Sequence, residues 1–183
     1  RIEIFDRTLL DKKEPFYLDL FLFSYYAGGM SAIDVCLLTR DRIKDDMIVY
    51  DRTKFDKQAR VILTDKAIGI IDRYRDAAYM NYVFPTIKRC NPTQAKLYGR
   101  VNRINEKVNR TLKKICYLSG IGQRVTWSTA RSSYISRMID EGFHPLQVAE
   151  LAGNSPQTIY RHYYTISDKE KMKEKTDRVF NNG

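Results

Sequence analysis

Basic side chains are the first residues in this sequence whose type and spacing suggest a chemistry. Lys and Arg number 32 against 22 Asp and Glu, a formal charge of +10 over 183 residues. Arg100, Arg103, Lys107, Arg110 and Lys113-Lys114 decorate one segment as a stripe, which either tracks a phosphate backbone or simply solvates a helix face. The charge excess makes a polyanion the first partner to consider, nucleic acid before membrane. Other chemistries are poorly served. The only two histidines, His144 and His162, nearly exclude a multi-histidine metal site. The three cysteines (Cys36, Cys90, Cys116) are far apart and form no C-x-x-C, which predicts a reduced cytosolic protein without a zinc module. More specific than the basic stripe is the stretch from Val125 to Tyr164, which packs serine, arginine, histidine and tyrosine between helix signals.

The elements that must position these residues are mostly helical. Lys12 to Tyr26 reads as a helix whose Phe16, Leu20 and Phe23 share one face with the following Ala27, widened by Leu18 and Phe21. Gly28-Gly29 breaks it, and Ser31 caps a short helix through Leu38. Met47 to Arg52 and Ala59 to Leu63 read as two strands of a hairpin, with Lys54-Phe55-Asp56-Lys57 as its turn. Thr64 caps a helix over Asp65 to Ala77, and a long polar helix runs from Thr93 to Leu118. Ser128 or Thr129 opens another to Glu141, and Pro145 starts the next, through Ala152. One more runs from Pro156 past Tyr163, and a charged one from Ser167 to Phe180. No linker divides the chain, so one domain is predicted: mainly α with a small antiparallel β-hairpin or sheet. The most apolar stretch, Leu18 to Met30, is too short to span a bilayer and contains Asp19. No membrane contact and no signal peptide are expected, and the expected compartment is the cytoplasm. The chain begins at Arg1 rather than Met, so a piece of a longer protein is expected.

Set on these elements, the Val125 to Tyr164 stretch resembles the C-terminal signature of tyrosine recombinases, the phage-integrase family. That signature reads T-x-H-x-x-R-H-S/T, a helix, small-x-L-G-H-S, and nine positions after the last histidine a nucleophilic Tyr. Ser128-Thr129-Ala130-Arg131 stands where H-x-x-R is expected, and Glu150-Leu151-Ala152-Gly153-Asn154-Ser155 where E-x-L-G-H-S is expected. Nine positions beyond Asn154 is Tyr163. Upstream, the segment from Phe23 to Asp34 is similar to the family's first box, F-x-x-Y-x-R-G-M-S-x-x-D, and Tyr50-Asp51-Arg52-Thr53-Lys54 to the hairpin R-x-K-T-G that carries a lysine. Tyr82-Val83-Phe84-Pro85 and the polar helix after it match the family's connector. Four boxes in order imply the tyrosine recombinase catalytic-domain fold. The departures are equally specific: the box-one arginine is Gly28, the first histidine Ser128 and the second Asn154.

The resemblance implies a reaction, transesterification at a DNA phosphodiester through a 3′-phosphotyrosyl intermediate, with no metal or nucleotide cofactor. Tyr163 would be the nucleophile, with Tyr160 and Tyr164 as rivals, and Arg131 would clamp a phosphate oxygen. Lys54 would protonate the leaving 5′-oxygen, with Lys57 as its rival. Ser128 and Asn154 can donate hydrogen bonds to a phosphate but cannot act as acid or base near neutral pH. His162 is a candidate substitute for a lost imidazole, and Arg40, Arg42, Arg124 and Arg137 are candidates to replace the arginine missing at Gly28. Arg52, Lys57, Arg100, Arg103, Arg124, Arg137 and Arg161 are the expected DNA contacts. The implied partners are double-stranded DNA at attachment sites, further copies of the chain in a tetramer, and accessory DNA-bending proteins. An N-terminal DNA-clamping domain is expected outside this chain. Residues 165–183 form a tail whose Val179-Phe180 is a candidate for docking on a neighbouring protomer. Two other readings stay open: an impaired homologue that binds DNA to regulate, and a helical module that binds other polyanions.

Overall fold

The computed structural model describes residues 1–51, 58–88, 93–162 and 169–181. Helix α1 (Glu14–Tyr26) is its axis, with α2 (Ala32–Cys36), α3 (Asp65–Arg73), α4 (Gln94–Leu118) and α5 (Thr129–Asp140) against it or one another. The sequence pattern predicts one apolar face for α1. Instead Leu18, Leu20, Phe21, Leu22 and Phe23 are all buried, so the helix is covered on every side by α3, α4 and α5. A helix that is apolar all round belongs in the interior, and the short run of α1 hid this as widening of one face. Its one fully buried acid, Asp19, receives hydrogen bonds from Arg7, Arg73 and the Tyr74 hydroxyl. Burial pushes its carboxyl up, but the three donors outweigh that and hold it below the usual carboxylate range. The same residue thereby pins the N-terminal segment and the end of α3 to α1.

On α4, Val101, Ile104, Val108, Leu112 and Ile115 recur every three or four residues and are buried, leaving a polar face outward. Strands β1 (Ile43–Lys44), β2 (Met47–Asp51) and β3 (Gln58–Ile62) form an antiparallel sheet in that order. The expected hairpin is β2–β3, registered with Ile48 opposite Val61, both buried. Its turn, Lys54 to Lys57, lies outside the described residues. The unpredicted strand β1 joins β2 through Asp45-Asp46, both at positive φ (49° and 56°), the conformation that a two-residue hairpin turn needs. Helix α2 stops at Cys36, short of Leu38, and α3 at Arg73, short of Ala77, because Tyr74 turns inward to Asp19.

Helices α6 (Pro145–Ala152) and α7 (Pro156–His162) follow α5, and α8 (Lys169–Asn181) closes the described chain. His144 caps α6: its Nδ1 accepts from the Leu146 N–H at 3.2 Å, and its own N–H reaches Gln147 Oε1 at 3.1 Å. That accounts for one of the two histidines as structure. The core has two parts. The larger runs through α1, the sheet, α3 and α4 to Trp127 and Ala130; the smaller is Ile135, Val148, Ala149, Ala152 and Ile159 among α5, α6 and α7. Val179 and Phe180 on α8 are 74% and 79% exposed, so nothing among the described residues covers them. Among the described residues no helix is long and apolar enough to cross a membrane.

Candidate active site

The two cores meet at a pair of glycines. Gly28 and Gly29 follow α1 with φ of +70° and +71°, a backbone that only glycine adopts without strain. A Cβ on Gly29 would lie 2.3 Å from the Cα of Arg131, so the first turn of α5 rests directly on the glycine backbone. The segment before α5 is fastened to older neighbours in the chain. Trp127 is buried, its backbone N–H donates to Asn109 Oδ1 at 2.7 Å, and its indole N–H to the Met30 carbonyl at 3.2 Å. Thr129 Oγ1 accepts from the Thr126 N–H at 3.0 Å, which ties the start of α5 to the segment before it, while the N-cap residue Ser128 makes no side-chain capping bond.

This packing fixes Arg131. Its Nε donates to the Gly29 carbonyl at 2.9 Å and its Nη1 to Asn154 Oδ1 at 3.0 Å. Asn154 is set in turn by the end of α6, where Gly153 takes the left-handed conformation and the Asn154 N–H returns to the Ala149 carbonyl at 2.8 Å. Arg131 and Ser128 line one cleft of about 280 Å³, together with Gly29, Ser31, Asn105 and Asn109. Ser128 is exposed there, its hydroxyl 2.9 Å from that of Thr126. Among the described residues that line it are a cation and neutral donors and no carboxylate, although the Ser31 hydroxyl donates to Asp34 Oδ2 at 2.6 Å, and such a lining suits an anion.

A side chain at position 28 would start against backbone. A Cβ on Gly28 would come within 2.6 Å of the Leu151 carbonyl oxygen of α6 and 3.4 Å of Val61 Cγ2. The place where an arginine side chain would begin is occupied by backbone. Nor do the suggested replacements enter the Arg131 cleft: Arg40 bonds the Arg75 carbonyl, Arg137 the Tyr25 hydroxyl at 3.2 Å, and Arg124 borders a different cavity, while Arg42 does not line the cleft. None of these four candidates is among the residues that line the cleft.

Of the other expected residues, Lys54, Arg52, Lys57, Tyr163 and the rival Tyr164 lie outside the described residues, as does the His162 side chain. Tyr160 is 44% exposed on α7. The basic stripe of α4 divides. Arg100 turns its Nε to the Thr86 carbonyl and Lys114 pairs with Asp11 and Glu14, so both hold the fold together. Arg103, Arg110, Lys113, Arg124 and Arg161 are exposed. Arg110, Lys113 and Arg124 border a second cavity of about 770 Å³, which shares Asn109 and Thr126 with the Arg131 cleft. The two thus form one basic tract. Sequence reasoning passed over Asn105 and Asn109. Their only signal is a residue that disfavours helix interiors repeated one turn apart. Neither of the two described cysteines is an activated thiol: Cys36 is buried and pushed up to about 12, and burial also raises Cys116.

With the geometry in place, comparison with known proteins is informative. The chain matches the model of the phage integrase family over residues 4–170. A search of curated proteins found no match. Among solved structures it is similar to XerA recombinase, at 15% identity and a TM-score of 0.61 over 92% of this chain and 64% of that one. It is also similar to the Tn1549 transposon integrase in complex with transposon right end DNA, at 17% identity and a TM-score of 0.63 over 92% and 60% of the two chains. A lambda integrase dimer bound to a core site aligns at 14% identity and a TM-score of 0.62, over 87% and 56%. The chain spans about three fifths of the length of these proteins.

Proposed function

Because this chain belongs to the phage integrase family, we propose that it is the single catalytic domain of a protein that cuts and rejoins DNA at specific sites through a 3′-phosphotyrosyl intermediate. The observation that carries this reading is Arg131, held by the Gly29 carbonyl and Asn154 at the edge of a cleft whose described lining has donors and no carboxylate. In the reaction Tyr163 Oη attacks phosphorus, the 5′-oxygen leaves with a proton from Lys54, and a second strand's 5′-hydroxyl later reverses the exchange. Arg131 and Ser128 would neutralise the charge that develops on the phosphorane. Asn154 holds the Arg131 guanidinium through its oxygen, which accepts from Nη1, and its amino group is the donor it would offer a phosphate. Arg103, Arg124 and Arg161, exposed on the same chain, are proposed to track the DNA backbone, with assembly into a tetramer on DNA.

A second reading has its own observation. The Leu151 carbonyl stands where a side chain at position 28 would begin, so phosphate activation lacks a second arginine from that position. Loss of a single transition-state donor lowers rate about 10²–10³-fold. On that reading the protein binds DNA to regulate or to support an active partner. One assay separates the two: a nicked duplex carrying the element's own attachment site, incubated with full-length protein and with Tyr163→Phe, on a denaturing gel. A covalent adduct lost in Tyr163→Phe supports recombination. Salt-sensitive binding without adduct overturns it in favour of the regulator.

A further inference from the structure

The Arg131 cleft is bordered by two side chains of α4, Asn105 and Asn109, one helical turn apart. The orientation of their amides follows from one fixed donor. The Trp127 backbone N–H can only donate, and it lies 2.7 Å from the Asn109 side chain, which must therefore present its oxygen. The Asn109 amino group is then directed to Asn105, whose oxygen receives it at 3.4 Å. Asn105 is left with its amino group as the end of the relay. Among the described residues that group meets no acceptor, and the half-buried side chain borders the cleft that Arg131 and Ser128 also line.

We propose that Asn105 is a phosphate-contacting residue of this cleft, its amino hydrogens aimed by the Trp127–Asn109 relay. It supplies from α4 one of the donors that position 28 cannot supply. Asn109 is a positioning residue: its oxygen is taken by Trp127, so it acts only by holding Asn105. The inference rests on reading the cleft as the phosphate site. It does not depend on whether the chain completes strand exchange.

The test is a titration of the ¹⁵N-labelled chain with inorganic phosphate at constant ionic strength, followed through side-chain amide and arginine Nε signals. The Asn105 amino signals should move with that of Arg131. Asn105→Ala should weaken phosphate binding by about ten- to a hundredfold, the value of a hydrogen bond to a charged group. Asn105→Asp, which keeps the shape but turns a donor into a charged acceptor, should weaken it further. Asn109→Leu should weaken binding by a smaller factor and give the Asn105 amide the signal of a freely rotating side chain. Arg131→Ala should abolish binding. If Arg131→Ala abolishes binding while both Asn105 variants bind as the parent does, the role of Asn105 is overturned and the phosphate site stands. If Arg131→Ala also binds as the parent does, the phosphate site fails and the role of Asn105 with it. Backbone spectra of each variant report folding independently.

Discussion

Around α1 the chain buries long aliphatic and aromatic side chains on all sides and ties Asp19 to three donors from two other segments. Beyond the first turn of α5 the core shrinks to Ile135, Val148, Ala149, Ala152 and Ile159. Yet Asn154 belongs to the lighter part, and Arg131 stands on the seam between the two. The part that carries Asn154 is therefore the part with least burial to hold it, and local opening should be easiest there. What fixes Arg131 is the joint with the heavier part: the Gly29 contact, the Gly29 carbonyl and the Trp127 hydrogen bonds.

The sharpest way to break that joint is Gly29→Ala. Left-handed strain of about 1–2 kcal/mol adds to overpacking of about 1–3 kcal/mol, because the new methyl meets the Arg131 Cα. Urea unfolding should show a loss of about 4 kcal/mol. An unchanged midpoint would mean that the seam can yield. Within the heavier part, Asp19→Asn should cost about 3 kcal/mol, the order seen when one partner of a buried ion pair is removed. The pH dependence has a definite sign. Asp19 titrates below its ordinary 3.8, so its stabilisation is present above that value and is lost as pH falls through the lower folded one. A melting series from pH 6 downward should show a shallower acid limb in Asp19→Asn than in the parent. Ile159→Ala, in the lighter part, should cost about 2–3 kcal/mol. Hydrogen exchange should then lose protection in α5, α6 and α7 while α1 and α4 keep theirs. Equal loss everywhere would show that the two parts unfold as one. The smallest effect has the opposite sign. Gly69 lies exposed inside α3 with nothing within 4 Å of an added Cβ, so Gly69→Ala should raise stability by about 0.5–1 kcal/mol in the same urea assay.

The elements were legible where local rules decide them. Pro145 and Gly153 bracket α6 at the predicted ends, and Ser31 and Thr64 cap the helices they were expected to cap. The misses come from tertiary context. Full burial of α1 depends on three helices distant in sequence, and β1 depends on a turn whose Asp45-Asp46 pair is a weaker signal than Asn-Gly. In the site, Arg131 and Ser128, which the resemblance singled out, line one cleft. The obstruction at Gly28 was not legible, because the intruding atom is a backbone oxygen that carries no mark in the sequence. Asn105 was not legible either: its meaning comes from a Trp127 N–H on another segment.

The carbonyl of Leu151 beside Gly28 also makes the effects of mutations at this site depend on their order. Gly28→Arg alone would collide with α6 and strain the backbone, and a change that draws α6 away would by itself open a void against Val61. Only after the second change would the first find space. Any path toward a two-arginine site therefore crosses less stable intermediates, and variation scanned one residue at a time would score position 28 as intolerant.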